Sequence, residues 1–324
     1  MDNKKYFYFH FFAIIIVLLF FSLFSCKKQA VANKSSLSVE EHLKQNPLYV
    51  KVEYDSANHF IEIENDINVK GYFDFLDKEL CRLDSTLDYQ INEHILINAN
   101  PWIIDNLINT DYYIRKDKGE FVYNQSQMII LNKGDSIVVP NAVWASIIKK
   151  EFENTLIDIN IPEFTLRLII DEKEKFSIPI RVGRDEIKYL EVIDREEDLK
   201  TKIGEGHIFK INRFPLYINP ATGKHYKTTR RDDNRVTKLP QIPFLHPIIE
   251  GHKWGQLIHP TTNPKTLGKA YSNGCIGTSE ADAWRLYYHA PVGTKIKIRY
   301  DLNGNIENES EASFEDVYNY YKSK

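Results

Sequence analysis

The sequence predicts a mainly β protein with a small mixed α/β region ahead of its β-rich part. Three observations carry that prediction. From about Asn154 the apolar residues recur with period two: Ile157, Ile159 and Ile161 alternate with Asp158 and Asn160, and the alternation returns in "FTLRLII" and "FSIPIRVG". Such alternation puts one face of a strand on a core and the other in water, and the short links between the runs predict antiparallel hairpins. Tyr (19) and Phe (18) are abundant and Met (2) is scarce, a usage that suits pleated, half-buried surfaces. A helical spacing lies earlier, in "FLDKELCRLDSTLDYQINEHIL", where Phe75, Leu76, Leu80, Leu83 and Leu87 share a face. With 43% hydrophobic and 27% charged residues the chain has the composition of a packed globular protein. Its net charge of -3 gives no whole-chain case for nucleic-acid binding.

The first element is a targeting segment. Lys4 and Lys5 precede the apolar run Phe11–Phe24, which has the length of a signal-peptide core and is short for a membrane span. "LFSC", Leu23 to Cys26, resembles the lipobox of bacterial lipoproteins, with cleavage before Cys26 and diacylglyceryl attachment to its thiol. An uncleaved anchor or plain secretion are the alternatives. Residues 1–25 are then a signal peptide and 26–60 a polar tether. The rest of the chain is expected outside the cytoplasm, in an oxidising periplasm. Lys27 and Lys28 carry no acidic retention signal, which favours lipid anchoring on the periplasmic face of an outer membrane.

If Cys26 holds lipid, Cys81 and Cys275 remain of the three cysteines. One disulfide between them is arithmetically possible. The helical context of Cys81 predicts instead a buried free thiol on a helix face.

Residues 61–147 read as an accessory region. It holds the helical run, then "INANPWIIDNLI", then a turn at Lys133-Gly134-Asp135 leading into a strand at Ser136–Val139. "NP" followed later by "GDSIVVP" resembles the second half of a LysM wall-binding module, and a purely structural region is the alternative. Residues 148–300 form the β-rich domain. "GEGHIFKI" (204–211) and "GTKIKIRY" (293–300) add strands, and the basic, aromatic, proline-bearing stretch 212–250 reads as a lid or binding loop. After Cys275, Ser279-x-x-Asp282 marks a helix start, Trp284, Tyr287 and Tyr288 fall on one face, and Pro291 stops the helix. Residues 301–324 are a C-terminal tail.

Chemistry concentrates in "YSNGCIG", residues 271–277. A nucleophilic cysteine must reach its thiolate form in a partly exposed, electropositive place. Gly274 permits close approach of a substrate carbonyl, and backbone N–H groups around Cys275 are placed to meet a developing oxyanion. The thiol needs a base. His259 follows the apolar run "GQLI" and is held at the end of a buried strand, as a base, a core histidine or a metal ligand. His246, His252, His259 and Cys275 match no compact metal-ligand spacing.

"IHPTTNP" followed by "YSNGCIG" resembles the signature of the L,D-transpeptidases with a YkuD-type catalytic domain: a His, an intervening segment, then Ser/Thr-His-Gly-Cys. Here these are His259, residues 260–271, then Ser272-Asn273-Gly274-Cys275. Upstream, "FSIPIRVGR" is similar to the family's "PVxVG" strand and "KTKIGEGHIF" to its "TPxGxF" strand; downstream the likeness reaches "APVGTKIKI". It spans roughly Val138 to Ile298. The resemblance implies a β-sandwich or barrel-like fold and a cysteine acyl-transfer mechanism without a cofactor or metal. By it, Cys275 is the nucleophile and His259 the proton acceptor and donor, with Pro260 holding the imidazole through its carbonyl. Ser272, Asn273 and Gly274 support the oxyanion. The implied substrate is the peptidoglycan stem peptide: D-Ala leaves, a thioester forms at Cys275, and an amine resolves it as a 3–3 cross-link. An L,D-carboxypeptidase or hydrolase with the same site, or an inactive wall-binding lipoprotein, are the alternatives. Two positions depart from the family pattern. Asn273 stands where the family has His, so it offers a dipole and no charge. Gly277 stands two residues after the cysteine, where Asn or Arg is usual.

Overall fold

The computed structural model describes residues 59–219, 221–303 and 314–321. The expected signal peptide 1–25, Cys26 and the part of the expected tether before His59 lie outside the described residues. Strand β1 (His59–Glu62) opens the described chain and leads into helices α1 (Val69–Asp84), α2 (Glu93–Asn98), α3 (Pro101–Ile108) and α4 (Tyr112–Asp117). Strand β2 (Ser136–Val139) follows, pairs antiparallel with β1, and is succeeded by α5 (Ala142–Glu153). Short polar side chains start these helices by accepting from orphan N–H groups: Asn68 from Gly71, Asn92 from Ile95, Asp111 from Tyr113, Asn141 from Trp144. Pro101 occupies the first position of α3, where its missing N–H leaves no helical bond unmade.

Helix α1 corrects one expectation. It buries Val69, Tyr72, Phe73, Leu76 and Leu83, whereas Cys81 is exposed and free. The reason is angular. Leu83 lies seven residues after Leu76 and keeps the core face; Cys81 lies five after it and points away. Cys275 is also free, so no disulfide joins the two.

The strands of the second half are β3 (Thr155–Asn160), β4 (Thr165–Ile170), β5 (Lys173–Pro179), β6 (Val182–Gly183), β7 (Gly204–Asn212), β8 (Phe244–Ile249), β9 (Ile258–Pro260), β10 (Ala270–Ser272), β11 (Ile276–Thr278) and β12 (Lys295–Arg299). Helix α6 (Glu280–His289) stands between the last two. Eight of them make one sheet in the order β11-β9-β8-β7-β12-β3-β4-β5, and β6 pairs with β10 separately. The expectation of a mainly β domain of sandwich or barrel type, with a few helices ahead of it, is met. The predicted hairpins appear as β3-β4-β5, but β12 joins β3 in parallel and β9 joins β11 in parallel.

The stretch 212–250 is not one loop. It contains two small hairpins, Tyr217–Ile218 with His225–Tyr226 and Thr228–Arg230 with Val236–Lys238, and then β8, an inner strand between β7 and β9. Proline hides β8 in the sequence, because a central strand normally excludes it. Here Pro247 pairs with Ile208, and the ladder shifts register just beyond, between Ile208 and Lys210.

Three apolar clusters form among the described residues, the smallest between α2 and α5 around Ile95, Ala99, Ala145 and Ile148. Of the two larger, one gathers α1, α3, β1 and β2 around Trp284, Tyr287 and Tyr288 of α6. The other lies on the sheet and takes Leu286 and Ala290. Helix α6, which follows the cysteine loop, therefore packs on the helical layer with one face and on the sheet with the other.

Candidate active site

Cys275 sits on the turn between β10 and β11, and side chains from distant segments hold that turn. Ser272 Oγ donates to the Cys275 carbonyl at 2.6 Å, and Ile276 N donates to Leu257 O at 2.8 Å. Thr201 Oγ1 donates to the Gly274 carbonyl at 3.0 Å and accepts from Gly183 N at 2.8 Å. The Tyr318 hydroxyl accepts from Thr201 N at 3.1 Å and donates to Gly183 O at 2.7 Å. Gly274 has φ of 101°, a left-handed conformation that suits glycine; Asn273 is not in that region. A Cβ on Gly183 would stand 2.9 Å from Gly274 Cα, so the cysteine turn and β6 approach backbone to backbone. Ser272 is thus committed to bracing the turn, and Asn273, half-buried, is free of any left-handed requirement.

His259 lies on β9, and the parallel register sets it opposite Gly277 of β11, two residues after Cys275. Its Nδ1 is 2.9 Å from the Pro260 carbonyl. A carbonyl only accepts, so Nδ1 carries the proton and Nε2 is left with a lone pair for use as a base. The ring packs on Phe244 with centroids 4.9 Å apart. Burial first, then the Arg181 charge, lower the His259 pKa to about 4, with the Pro260 hydrogen bond opposing them. Burial pushes the Cys275 thiol up; a hydrogen bond from the Leu257 backbone and the Arg181 charge pull it down. At neutral pH the Cys275 thiol and the His259 imidazole are therefore both uncharged.

Arg181 is the site residue that sequence reasoning missed. It occupies the variable position of "PIRVG", between β5 and β6. Its N–H donates to Gly277 O at 2.9 Å and its carbonyl accepts from Gly277 N at 3.0 Å. A Cβ on Gly277 would meet Arg181 Nε at 2.5 Å, Cγ at 2.7 Å and Cδ at 3.0 Å. Gly277 has no left-handed φ, so glycine stands there for room and not for backbone freedom. The available signal was paired: a cation in the variable strand position, and a missing side chain two residues after the cysteine.

The basic stretch 224–235 contributes structure instead. Arg231 is fully buried and ion-paired with Glu280 at the start of α6, while its Nε donates to Thr237 Oγ1 at 2.7 Å and its Nη2 to Gln125 Oε1 at 3.0 Å. Ser279 Oγ caps α6 by accepting from Asp282 N at 2.9 Å, and Asp111 of the helical layer accepts from Ala281 N at 2.9 Å. Tyr113 of α4 donates to Thr262 O at 3.1 Å, just beyond β9. The accessory helices thereby brace both the histidine strand and the helix behind the cysteine. Of the aromatic residues near the motif, Trp284 is core, and Trp254 and Tyr271 are exposed.

Comparison with known proteins gives no match among curated proteins. Among solved structures, the chain is similar to an L,D-transpeptidase from Mycobacterium smegmatis (17% identity, 45% of this chain and 58% of that one, TM-score 0.31). It is similar also to L,D-transpeptidase 3 from Mycobacterium tuberculosis, solved in complex with a faropenem-derived adduct (17% identity, 45% and 60%, TM-score 0.30). A third is the L,D-transpeptidase from Xylanimonas cellulosilytica (13% identity, 74% and 98%, TM-score 0.33). The chain spans less than two thirds of the length of the two mycobacterial proteins. Residues 154–298, the stretch that holds Arg181, His259 and Cys275, match the L,D-transpeptidase catalytic domain of the YkuD family.

Proposed function

We propose that the chain is a peptidoglycan L,D-transpeptidase in which Cys275 forms a thioester with a stem peptide and His259 moves the protons. The observation that carries this reading is the His259 tautomer: the Nδ1–Pro260 contact leaves Nε2 as the basic nitrogen beside the strand that leads from Cys275. In the first half-reaction Nε2 takes the thiol proton as Sγ bonds to the carbonyl carbon of the third stem residue. Collapse of the tetrahedral intermediate breaks the C–N bond, and the proton passes from His259 to the departing D-Ala amine. In the second half-reaction an acceptor amine attacks the thioester, His259 takes its proton, an amide forms and the thiol is restored. Backbone N–H groups of the cysteine turn support the oxyanion in both. Water in place of the amine would give a carboxypeptidase. No cofactor takes part.

The chain is further proposed to act in the periplasm, exported through the signal at 1–25 and held by lipid on Cys26, with the region 61–147 serving the catalytic domain as an accessory layer. Incubating the purified full chain in detergent with sacculi, then identifying the released and cross-linked muropeptides by mass, tests the reading. New 3–3 dimers support transpeptidation, tripeptide stems alone select the carboxypeptidase, and an unchanged muropeptide profile overturns both.

A further inference from the structure

Several basic side chains around the cysteine turn are paired with carboxylates, whereas Arg181 is not. Arg184 pairs with Glu186 at 2.5 Å, Lys200 with Asp185 at 2.7 Å, and Lys202 with Asp198 at 3.5 Å. Arg181 makes no ion pair among the described residues, and its Nε is buried with no hydrogen-bond partner. Its Nη1 is 3.3 Å from Thr266 Oγ1, a neutral group. A guanidinium that is half-buried and lacks an anion is costly to keep unless an anion arises beside it. Its stem lies against Gly277, two residues from Cys275, and the two backbones exchange a pair of hydrogen bonds that fix this placement.

We propose that Arg181 is the positioning cation of the site: it stabilises the Cys275 thiolate, filling the room that Gly277 leaves open and supplying the charge that Asn273 lacks. The anion it awaits is the sulfur itself, formed when His259 withdraws the proton. The other titratable groups that face the thiol are His259 and Tyr271. His259 is neutral above about pH 4 and contributes no charge at neutral pH. Tyr271, exposed on β10, favours the Arg181 charge as Cys275 does. Among those groups, Arg181 is the one that opposes the effect of burial on the thiol by charge. Its location also explains why a glycine follows the cysteine by two: any larger residue would occupy the space of the Arg181 stem.

The inference rests on the reading of Cys275 as the nucleophile, and alkylation separates the two, because iodoacetamide reports the thiol whether or not the chain transfers acyl groups. The full chain in detergent is alkylated from pH 5 to 10 and each cysteine peptide is quantified by mass. Exposed Cys81 serves as the reference within the same molecule. Arg181→Met is expected to move the Cys275 profile about one pH unit to the alkaline side, so that alkylation at neutral pH falls about tenfold while Cys81 is unchanged. Arg181→Lys should lie between the two, and Lys224→Ala, at the turn of the hairpin Tyr217–Ile218 with His225–Tyr226, should match the wild type. If Arg181→Met does not fold, Arg181→Gln and Arg181→Lys carry the same comparison of a neutral and a charged side chain. Coincident Cys275 profiles in the wild type and a neutral variant would overturn the proposal.

Discussion

The Tyr318 hydroxyl donates to the Gly183 carbonyl at 2.7 Å across a sequence separation of 135 residues. The same hydroxyl accepts from Thr201 N, and Thr201 Oγ1 holds the Gly274 carbonyl at 3.0 Å. A short piece of the C-terminal tail is thereby the outermost member of a chain of hydrogen bonds that ends one residue before Cys275.

Removing a link of that chain should loosen the turn. Tyr318→Phe and Thr201→Val are each expected to lower stability by about 1 kcal/mol, the usual net worth of one buried hydrogen bond. Acylation of Cys275 should slow by about tenfold, because a catalytic atom displaced by a fraction of an ångström loses alignment. Thermal unfolding and single-turnover acylation measure the two effects. A fall in stability with an unaltered acylation rate would make the tail a structural strap only.

His259→Gln is expected to lower the acylation rate by about 10²- to 10⁴-fold, the scale of losing a general base. The wild-type rate should not lose its base between pH 7 and 5, because burial holds the imidazole pKa at about 4. The sign of the stability effect follows. A histidine with a depressed folded pKa contributes stability that is complete above its ordinary value near 6.5 and is lost as pH falls through about 4. The acid-side decline of stability should therefore be shallower in His259→Gln, as read by denaturant titration at several pH values. A rate that halves near pH 6.5 would assign the base elsewhere.

How much of this was legible differs by residue. Ser272, Gly274, Cys275 and His259 lie in two short segments, so their chemistry could be read without the fold, and the strands of period two around them are where the pattern put them. Arg181 could not be read that way. Its meeting with Gly277 is made by a β-bridge between segments far apart in the chain, and only the absence of a side chain at 277 hints at it. Tyr318 carries no motif, and Thr201 lies in "KTKIGEGHIF" with no sign in the sequence of its bond to the cysteine turn. Strand β8 was hidden by Pro247, and Cys81 was assigned to the core because a helical spacing defines a stripe without fixing which neighbouring residues share it. The left-handed conformation of the turn belongs to Gly274 and not to Asn273.

Arg231 and Glu280 form an ion pair with both side chains removed from water. Arg231→Met leaves the carboxylate uncompensated and is expected to cost about 3–5 kcal/mol, measured as a lower urea midpoint. Arg231→Met combined with Glu280→Gln should cost less than the sum of the two single changes, since no charge then remains buried alone. Additive costs would mean that the pair does not couple the segment around the second small hairpin to α6.

Cys26→Ala should move the protein from the detergent phase to the aqueous phase or stop processing of its signal peptide. Metabolic labelling with a fatty-acid analogue checks it. A wild-type chain that takes up no label removes the lipid anchor from the account.

The central claim is that Cys275 carries the acyl group. The most direct measurement is the mass of the full chain after incubation with a penem, with the modified peptide located by fragmentation. One adduct is expected on the peptide that contains Cys275, and none on Cys275→Ala, which should unfold at the same temperature as the wild type because the thiol sits on a turn held by other side chains. An adduct that persists in Cys275→Ala, or that maps to Cys81, would contradict it.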